Sequence, residues 1–160
     1  MGFPTPPPSI EPTSIFSGLR PLAILYGAIV DHVATILAGT LLFVVFAADR
    51  SIDLSEEISD EAMAEVLASP EFLLCSFIVG ALCTVLGGYL GARRAGCHHA
   101  RHGAFVGLAS LLIGLLVFVL PVTGEPAPLW YDLLGAAVVI PCGAAGGWLV
   151  EKASSERPAV

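Results

Sequence analysis

The chain has 160 residues, of which 56% are hydrophobic and 13% charged, with a formal net charge of −7 at pH 7. Soluble domains carry about 25% charged residues, so this composition excludes an ordinary water-soluble protein. The mean hydropathy of +0.84 is typical of a chain that crosses a membrane several times. The acidic balance gives no reason to expect a nucleic-acid partner.

The chain begins with a proline-rich segment and ends with a short polar one. Residues 1–19 include Pro6-Pro7-Pro8, which favours an extended, disordered tail. The tail has no basic n-region, and the apolar run after it is too long for an h-region, so we expect no cleavable signal peptide. Residues 20–152 are predicted to form one transmembrane domain, and residues 153–160 a second tail.

Four apolar segments make up most of the chain. Three contain no Asp, Glu, Lys, Arg or His: Phe72–Ala92, Gly103–Leu120 and Leu133–Val150. The fourth, Pro21–Ala48, contains two of these ionisable residues, Asp31 and His32. Each segment can cross a hydrocarbon core of ~30 Å, and none shows the polar stripe of a soluble bundle. The sequence predicts an all-α integral membrane four-helix bundle, with helices at about 21–48, 71–93, 102–122 and 129–151.

Asp31 and His32 form a candidate polar site inside the first segment. An ionisable residue within a spanning helix is costly and is a functional hypothesis by default. Gly27, Asp31 and Thr35 lie on one helical stripe, which turns the acid towards another helix rather than lipid. Asp31 is either a hydrogen-bonded packing residue or, with His32, a site for a proton or a cation.

Residues 49–70 form an acidic loop between the first two spanning segments. Eight acidic residues lie from Asp49 to Glu71, against Arg50 alone. Apolar residues recur every four positions and predict a short amphipathic helix: Leu54, Ile58, Ala62 and Val66. Asp53 is the predicted cap of this helix. The candidate partner surface consists of Glu56, Glu57, Asp60, Glu61 and Glu65. A solvated face without a partner is the alternative.

Small residues recur at four-residue spacing and let helix backbones approach closely. In the third segment Gly103, Gly107, Ser110 and Gly114 share such a face. The predicted helix-packing glycines are Gly27, Gly39, Gly80, Gly87, Gly88, Gly91, Gly107, Gly114, Gly143 and Gly147. They serve packing within one chain or, alternatively, self-association.

The turn between the second and third segments holds Cys97, His98 and His102. These residue types can bind zinc or copper. Three arginines flank them, however, and disfavour a cation, so a basic turn that meets lipid headgroups is preferred over a metal site. No cofactor is expected.

The distribution of basic residues predicts the orientation of the chain in the membrane. Six of the seven basic residues lie at the ends that share one face of the membrane, and only Arg50 lies on the other. The positive-inside rule therefore places both termini in the cytoplasm.

The segments also suggest an internal repeat. Gly27-Ala28-Ile29-Val30 is similar to Gly103-Ala104-Phe105-Val106, and Gly87-Gly88-Tyr89-Leu90 is similar to Gly146-Gly147-Trp148-Leu149. A duplicated helical hairpin explains this pattern, with chance similarity among Gly-rich helices as the alternative.

The hairpin Gly87-Gly88-Tyr89-Leu90-Gly91-Ala92-Arg93-Arg94-Ala95-Gly96, followed by His102-Gly103-Ala104, resembles a widespread kind of small bacterial inner-membrane protein with four helices. The resemblance covers the second and third segments. It implies a bacterial cytoplasmic-membrane location and supplies neither an activity nor a site residue.

No hydrolase, zinc-protease, phosphate-loop or dinucleotide motif occurs, so we expect no enzyme. The leading hypothesis is a structural or accessory subunit that packs in the bilayer against another membrane protein or itself. The alternative is a small proton- or cation-coupled transporter or channel that uses Asp31 and His32.

Overall fold

The computed structural model describes residues 17–55, 57–119 and 128–156. Within these ranges the chain forms five helices and no strand: α1 Pro21–Asp49, α2 Asp60–Leu67, α3 Pro70–Ala95, α4 His99–Val119 and α5 Leu129–Ser155. Helices α1, α3, α4 and α5 are long and apolar enough to cross a membrane. The predicted all-α membrane bundle is confirmed. The proline-rich segment 1–16 and the tail 157–160 lie outside the described residues.

Proline and glycine mark where the spanning helices begin and end. Pro21 and Pro70 lie in the first turns of α1 and α3, where the missing N–H has no intrahelical partner in any case. Gly96 ends α3 in the left-handed conformation at φ 69°, which costs glycine little. The sharp turn that follows brings α4 back beside α3.

The four spanning helices form a diamond in cross-section. Helices α3 and α4 pack against each other in the centre, and each of α1 and α5 packs against both of them. In the described ranges, α1 and α5 do not pack against each other. We call the end with the Gly96–His98 turn and Lys152 the basic side. The opposite end, where α2 lies, is the acidic side.

Glycines bring the helices together in the half of the bundle nearest the basic side. Gly27 of α1 lies against Gly87 and Gly91 of α3, and a Cβ on any of them would collide with neighbouring atoms. Gly88 meets the Gly143 backbone in the same way where α3 crosses α5. Close approach of backbones replaces the hydrophobic drive that lipid does not supply.

The first hairpin consists of α1 and α3, and the second of α4 and α5. The second hairpin makes similar crossings with its own glycines. Gly103 and Gly107 lie against Gly143, and Gly147 lies against the backbone of His99. Gly146, which the prediction did not include, meets the Val85 carbonyl across α3 and α5. Seven predicted packing glycines therefore lie at helix crossings: Gly27, Gly87, Gly88, Gly91, Gly107, Gly143 and Gly147.

Gly39, Gly80 and Gly114 do not lie against another helix of the described chain. An added Cβ at each of them has nothing within 4 Å. All three lie in the half of the bundle nearest the acidic side, where the helices diverge. The same four-residue stripe therefore packs helices in one half and lines open space in the other.

The two hairpins repeat one crossing geometry. Gly27 meets Gly87 and Gly91 across α1 and α3, much as Gly103 meets Gly143 and Gly147 across α4 and α5. By these contacts, Gly87 in the first hairpin is equivalent to Gly143 in the second, whereas sequence similarity makes Gly87 equivalent to Gly146. The likeness stops at the hairpins, because α3 packs against α4 while the equivalent pair, α5 and α1, stays apart.

The acidic-side helix α2 is shorter than predicted and capped by a different residue. The backbone N–H of Ala62 donates to the Ser59 hydroxyl at 3.2 Å, so Ser59 is the cap. Leu54 and Ile58 precede the helix, and its buried residue is Val66.

Asp53 is not the cap, because it forms a local turn instead. Its carboxylate accepts hydrogen bonds from the Ser55 N–H at 2.8 Å and the Ser55 hydroxyl at 2.6 Å. The hydroxyl bond and then the backbone bond lower the pKa of Asp53 below its ordinary value. Aspartate commonly bonds its own backbone two residues on, and this competes with capping a more distant helix.

Candidate functional site

Asp31 is buried between α1 and α3. Its side chain is 4% exposed, and its Oδ1 accepts a hydrogen bond from the Thr84 hydroxyl at 3.1 Å. Thr84 Oγ1 also lies 3.1 Å from the Gly80 carbonyl in its own helix. Gly87 makes room for the acid, because a Cβ at Gly87 would meet the Cβ of Asp31 at 2.8 Å. The sequence therefore places a carboxyl group where two helices touch.

A cavity of about 310 Å³ lies beside Asp31, in the space between α1 and α5. Its described lining comes from all four spanning helices: Asp31, His32, Thr35, Gly39, Ser76, Phe77, Val79, Gly80, Ala81, Thr84, Ser110, Tyr131, Gly135, Val138, Val139 and Cys142. No lysine or arginine is found among these lining residues. The cavity exists because α1 and α5, at opposite corners of the diamond, do not pack against each other.

Ser110 places an unpaired hydroxyl in the cavity wall. The residue is 5% exposed, and its Oγ has no hydrogen-bond partner in the described part of the chain. A buried polar group left without a partner costs about 1–3 kcal/mol. Ser110 lines the same cavity as Asp31 and Thr84, so this unsatisfied hydroxyl belongs to the polar part of the cavity wall.

The polar groups of the cavity lie at one depth. Asp31 and Thr84 are ten and eleven residues from the basic-side ends of α1 and α3, and Ser110 is eleven residues from the start of α4. At about 1.5 Å per residue these positions are near the middle of the membrane. On the basic side of them, Gly27, Gly91 and the fully buried Val106 close the bundle.

Tyr131 bridges α3 and α5 near the other end of the cavity. Its hydroxyl lies 3.0 Å from the Ser76 hydroxyl, and its ring packs edge-on against Phe77 with centroids 6.3 Å apart. Sequence reasoning missed this bridge. Ser76, Gly80 and Thr84 are spaced by four, so their shared helical face was the available signal.

Asp31 and His32 both line the cavity, but no hydrogen bond joins them. His32 Nδ1–H donates to the Ala28 carbonyl of its own helix at 2.9 Å, whereas Asp31 is bonded to Thr84. The imidazole is therefore fixed by its own backbone, and Thr84 rather than His32 orients the acid.

The turn residues Cys97, His98 and His102 do not form a metal site. His102 is fully buried, its Nε2 accepts from the Arg20 N–H at 3.0 Å, and its Nδ1–H donates to the His98 carbonyl at 3.1 Å. Both ring nitrogens are thus engaged, and the described chain contains no group of three residues able to hold a metal. Cys97 and His102 instead fasten the start of α1 to the turn, since the Cys97 thiol also donates to the Gly18 carbonyl at 3.8 Å.

The candidate partner surface is exposed and separate from the cavity. Glu57, Asp60, Glu61 and Glu65 all face outward on or beside α2. Glu56 lies outside the described residues. A role for these carboxylates in binding a partner stays a prediction.

Comparison with protein-family models gives no match, and searches of curated proteins and of solved structures give none either. The chain is a multi-pass membrane protein by its four apolar helices. Its finer function is inferred from the cavity.

Proposed function

We propose that this chain is a non-catalytic integral membrane protein that takes a proton or a small cation into its intramembrane cavity. Asp31 is the group that binds the proton or cation, and Thr84 orients its carboxyl group. One observation carries this proposal. The buried carboxyl group of Asp31 and the unpaired hydroxyl of Ser110 lie at the same depth in the wall of one cavity.

The environment of Asp31 explains why a cation or proton is the fitting partner. A carboxylate in hydrocarbon is expensive unless it is neutralised or paired. Among the described lining residues the possible internal cations are limited to His32, which is bonded to its own backbone. A proton or a small cation entering the cavity supplies the missing charge.

The distribution of basic residues supports an orientation for this uptake. Arg94 lies over the Tyr26 ring at 4.9 Å and Lys152 over the Trp148 ring at 5.5 Å, both at the basic side. The positive-inside rule then puts the basic side in the cytoplasm, and we place the protein in the bacterial inner membrane. The cavity thereby lies in the outer half of the membrane.

The accessory-subunit hypothesis is kept as a second candidate because α2 presents exposed carboxylates. A subunit of that kind needs the packed bundle but not the acid. Asp31→Asn then leaves its function unchanged, whereas Gly88→Leu removes it.

Labelling with a hydrophobic carbodiimide tests the proposal, since this reagent attacks protonated carboxyl groups in apolar surroundings. We expect modification of Asp31 in the folded chain, located by peptide mass spectrometry. Failure of the folded chain to label at Asp31 at any pH contradicts uptake at this site.

Two leucine variants provide a matched control for that labelling. Gly80 lines the Asp31 cavity and has open space around an added Cβ, whereas Ala137 is exposed on α5 and lies outside the described lining of this cavity. Gly80→Leu should fill the cavity and slow the labelling of Asp31, while Ala137→Leu should leave the rate unchanged. Equal rates in the two variants would show that the reagent reaches Asp31 by another route.

A further inference from the structure

The cavity is larger than a proton or a bare inorganic ion requires. Its volume of about 310 Å³ is at the lower end of the range for small-molecule sites, about 300–1,000 Å³. One water occupies roughly 30 Å³ of liquid, so a small organic molecule fits where a single ion would leave most of the space to water.

Polar and apolar groups are segregated along the wall. Asp31, Thr84 and Ser110 lie together at the membrane midplane, whereas Phe77, Val138 and other apolar side chains line much of the remainder. A carboxylate beside a hydroxyl with an unused lone pair accepts N–H donors, and apolar walls match a hydrocarbon body. An amphipathic cation presents both features in one molecule.

A second cavity suggests how such a molecule reaches the first. It measures about 460 Å³, lies between α4 and α5 near the acidic side, and shares Ser110, Tyr131, Gly135 and Val139 with the Asp31 cavity. Its described lining includes the exposed residues Leu115 and Leu133, which face hydrocarbon in a spanning bundle. A route through lipid favours a molecule with an apolar body over a hydrated ion.

We infer that the ligand of the cavity is a small organic ammonium ion. Its N–H groups bind Asp31 and Ser110, and its apolar body lies along Phe77 and Val138. This assignment rests on the proposed function, since it names the cation that the cavity takes.

Isothermal titration calorimetry on the full chain in mild detergent tests the inference with benzylamine at a pH where the amine is protonated. Benzyl alcohol is the neutral control for partition into the micelle and the apolar wall, and sodium and potassium chloride represent inorganic cations. We expect saturable binding of benzylamine, with benzyl alcohol and both salts at least about tenfold weaker, as expected when a charge-assisted hydrogen bond is missing.

Three variants locate the binding. Asp31→Asn should weaken benzylamine about tenfold or more, and Ser110→Ala several-fold, because each removes one acceptor of an N–H group. Glu151→Gln removes an exposed carboxylate at the basic side and should bind as the original chain does. Gel filtration and circular dichroism of each variant establish that it is folded.

The outcomes separate this inference from the proposed function. Binding of sodium or potassium that depends on Asp31, without binding of benzylamine, overturns the organic ligand and leaves the proposed function standing. Equal binding of benzyl alcohol and benzylamine overturns the role of charge. Failure of every cation to bind, together with an Asp31 that a carbodiimide cannot label, overturns both.

Discussion

Single residues determine the polarity of the cavity. Asp31 is held by one hydrogen bond from Thr84, and Ser110 contributes a hydroxyl that the described protein leaves unpaired. In a bilayer no water from the lipid side can satisfy such a group, so its cost persists unless the cavity is occupied. The unpaired Ser110 hydroxyl therefore lowers the stability of the unoccupied fold.

Ser110→Ala tests that balance. Removing a buried hydroxyl without a partner should raise the free energy of unfolding of the ligand-free protein by about 1 kcal/mol. The measurement is an SDS titration in mixed micelles, followed by circular dichroism. Ser76→Ala is the comparison, because Ser76 is hydrogen-bonded to Tyr131 and its loss should destabilise. Destabilisation by Ser110→Ala would mean that the hydroxyl is satisfied in the folded protein.

His102 is the residue on which the basic-side junction depends. Its two ring nitrogens join the Arg20 N–H to the His98 carbonyl, so the imidazole is neutral with the proton on Nδ1. His102→Leu should cost about 1–3 kcal/mol of unfolding free energy, because the Arg20 N–H then loses its acceptor. The His99 side chain makes no such bond in the described part of the chain. His99→Leu should therefore cost less unfolding free energy in the same SDS titration.

At the scale of the helices, glycine spacing has two different uses. Stripes at i and i+4 bring α1 to α3 and α4 to α5 in the basic-side half, and the same stripes line the cavity in the acidic-side half. The divergence of the helices, rather than residue type, decides which use applies. Hence a glycine stripe alone does not show which of its members touch another helix.

Gly88→Leu and Gly114→Leu test this division. A side chain at Gly88 collides with the Gly143 backbone, which cannot move aside without separating α3 from α5, whereas Gly114 faces open space. We expect Gly88→Leu to destabilise the bundle by more than the 1–3 kcal/mol that is typical of overpacking and Gly114→Leu to have little effect. Thermal unfolding in detergent compares the two, and similar losses would contradict the crossing.

At the scale of the molecule, the bundle is asymmetric although its hairpins are alike. The centre is filled by α3 and α4, and the separation of α1 from α5 leaves the cavity. Polar residues from all four spanning helices reach that one space, so no pair of helices contains the site alone.

The orientation of the whole chain has its own test. In a chain whose four cysteines are replaced by alanine, Ser51→Cys lies at the acidic side and Ala153→Cys at the basic side, both exposed. A membrane-impermeant maleimide added to intact cells should label Ser51→Cys and should reach Ala153→Cys only after permeabilisation. The opposite pattern would invert the proposed orientation.

The sequence predicted the helices well and the cavity poorly. Hydropathy and length determine which segments span the membrane, because every spanning segment obeys the same lipid constraint. Thr84 and Ser110 were recognisable from their depth relative to Asp31, but the gap between α1 and α5 was not. It depends on how four helices pack together, and Gly39 and Gly80 look the same in sequence whether a helix lies opposite them or not.

The hydrogen bond between Arg20 and His102 spans 82 residues of sequence, and this sets an order for assembly. During synthesis α1 and α3 emerge before His102 does, so the first hairpin enters the bilayer while the start of α1 has no side-chain acceptor from α4. The junction closes only when the second hairpin follows. Gly18 and Arg20 are exposed in the finished protein, but there the Arg20 backbone is held by His102. Truncated chains that stop before α4 should thus be cut faster by proteases near Arg20 than the finished protein.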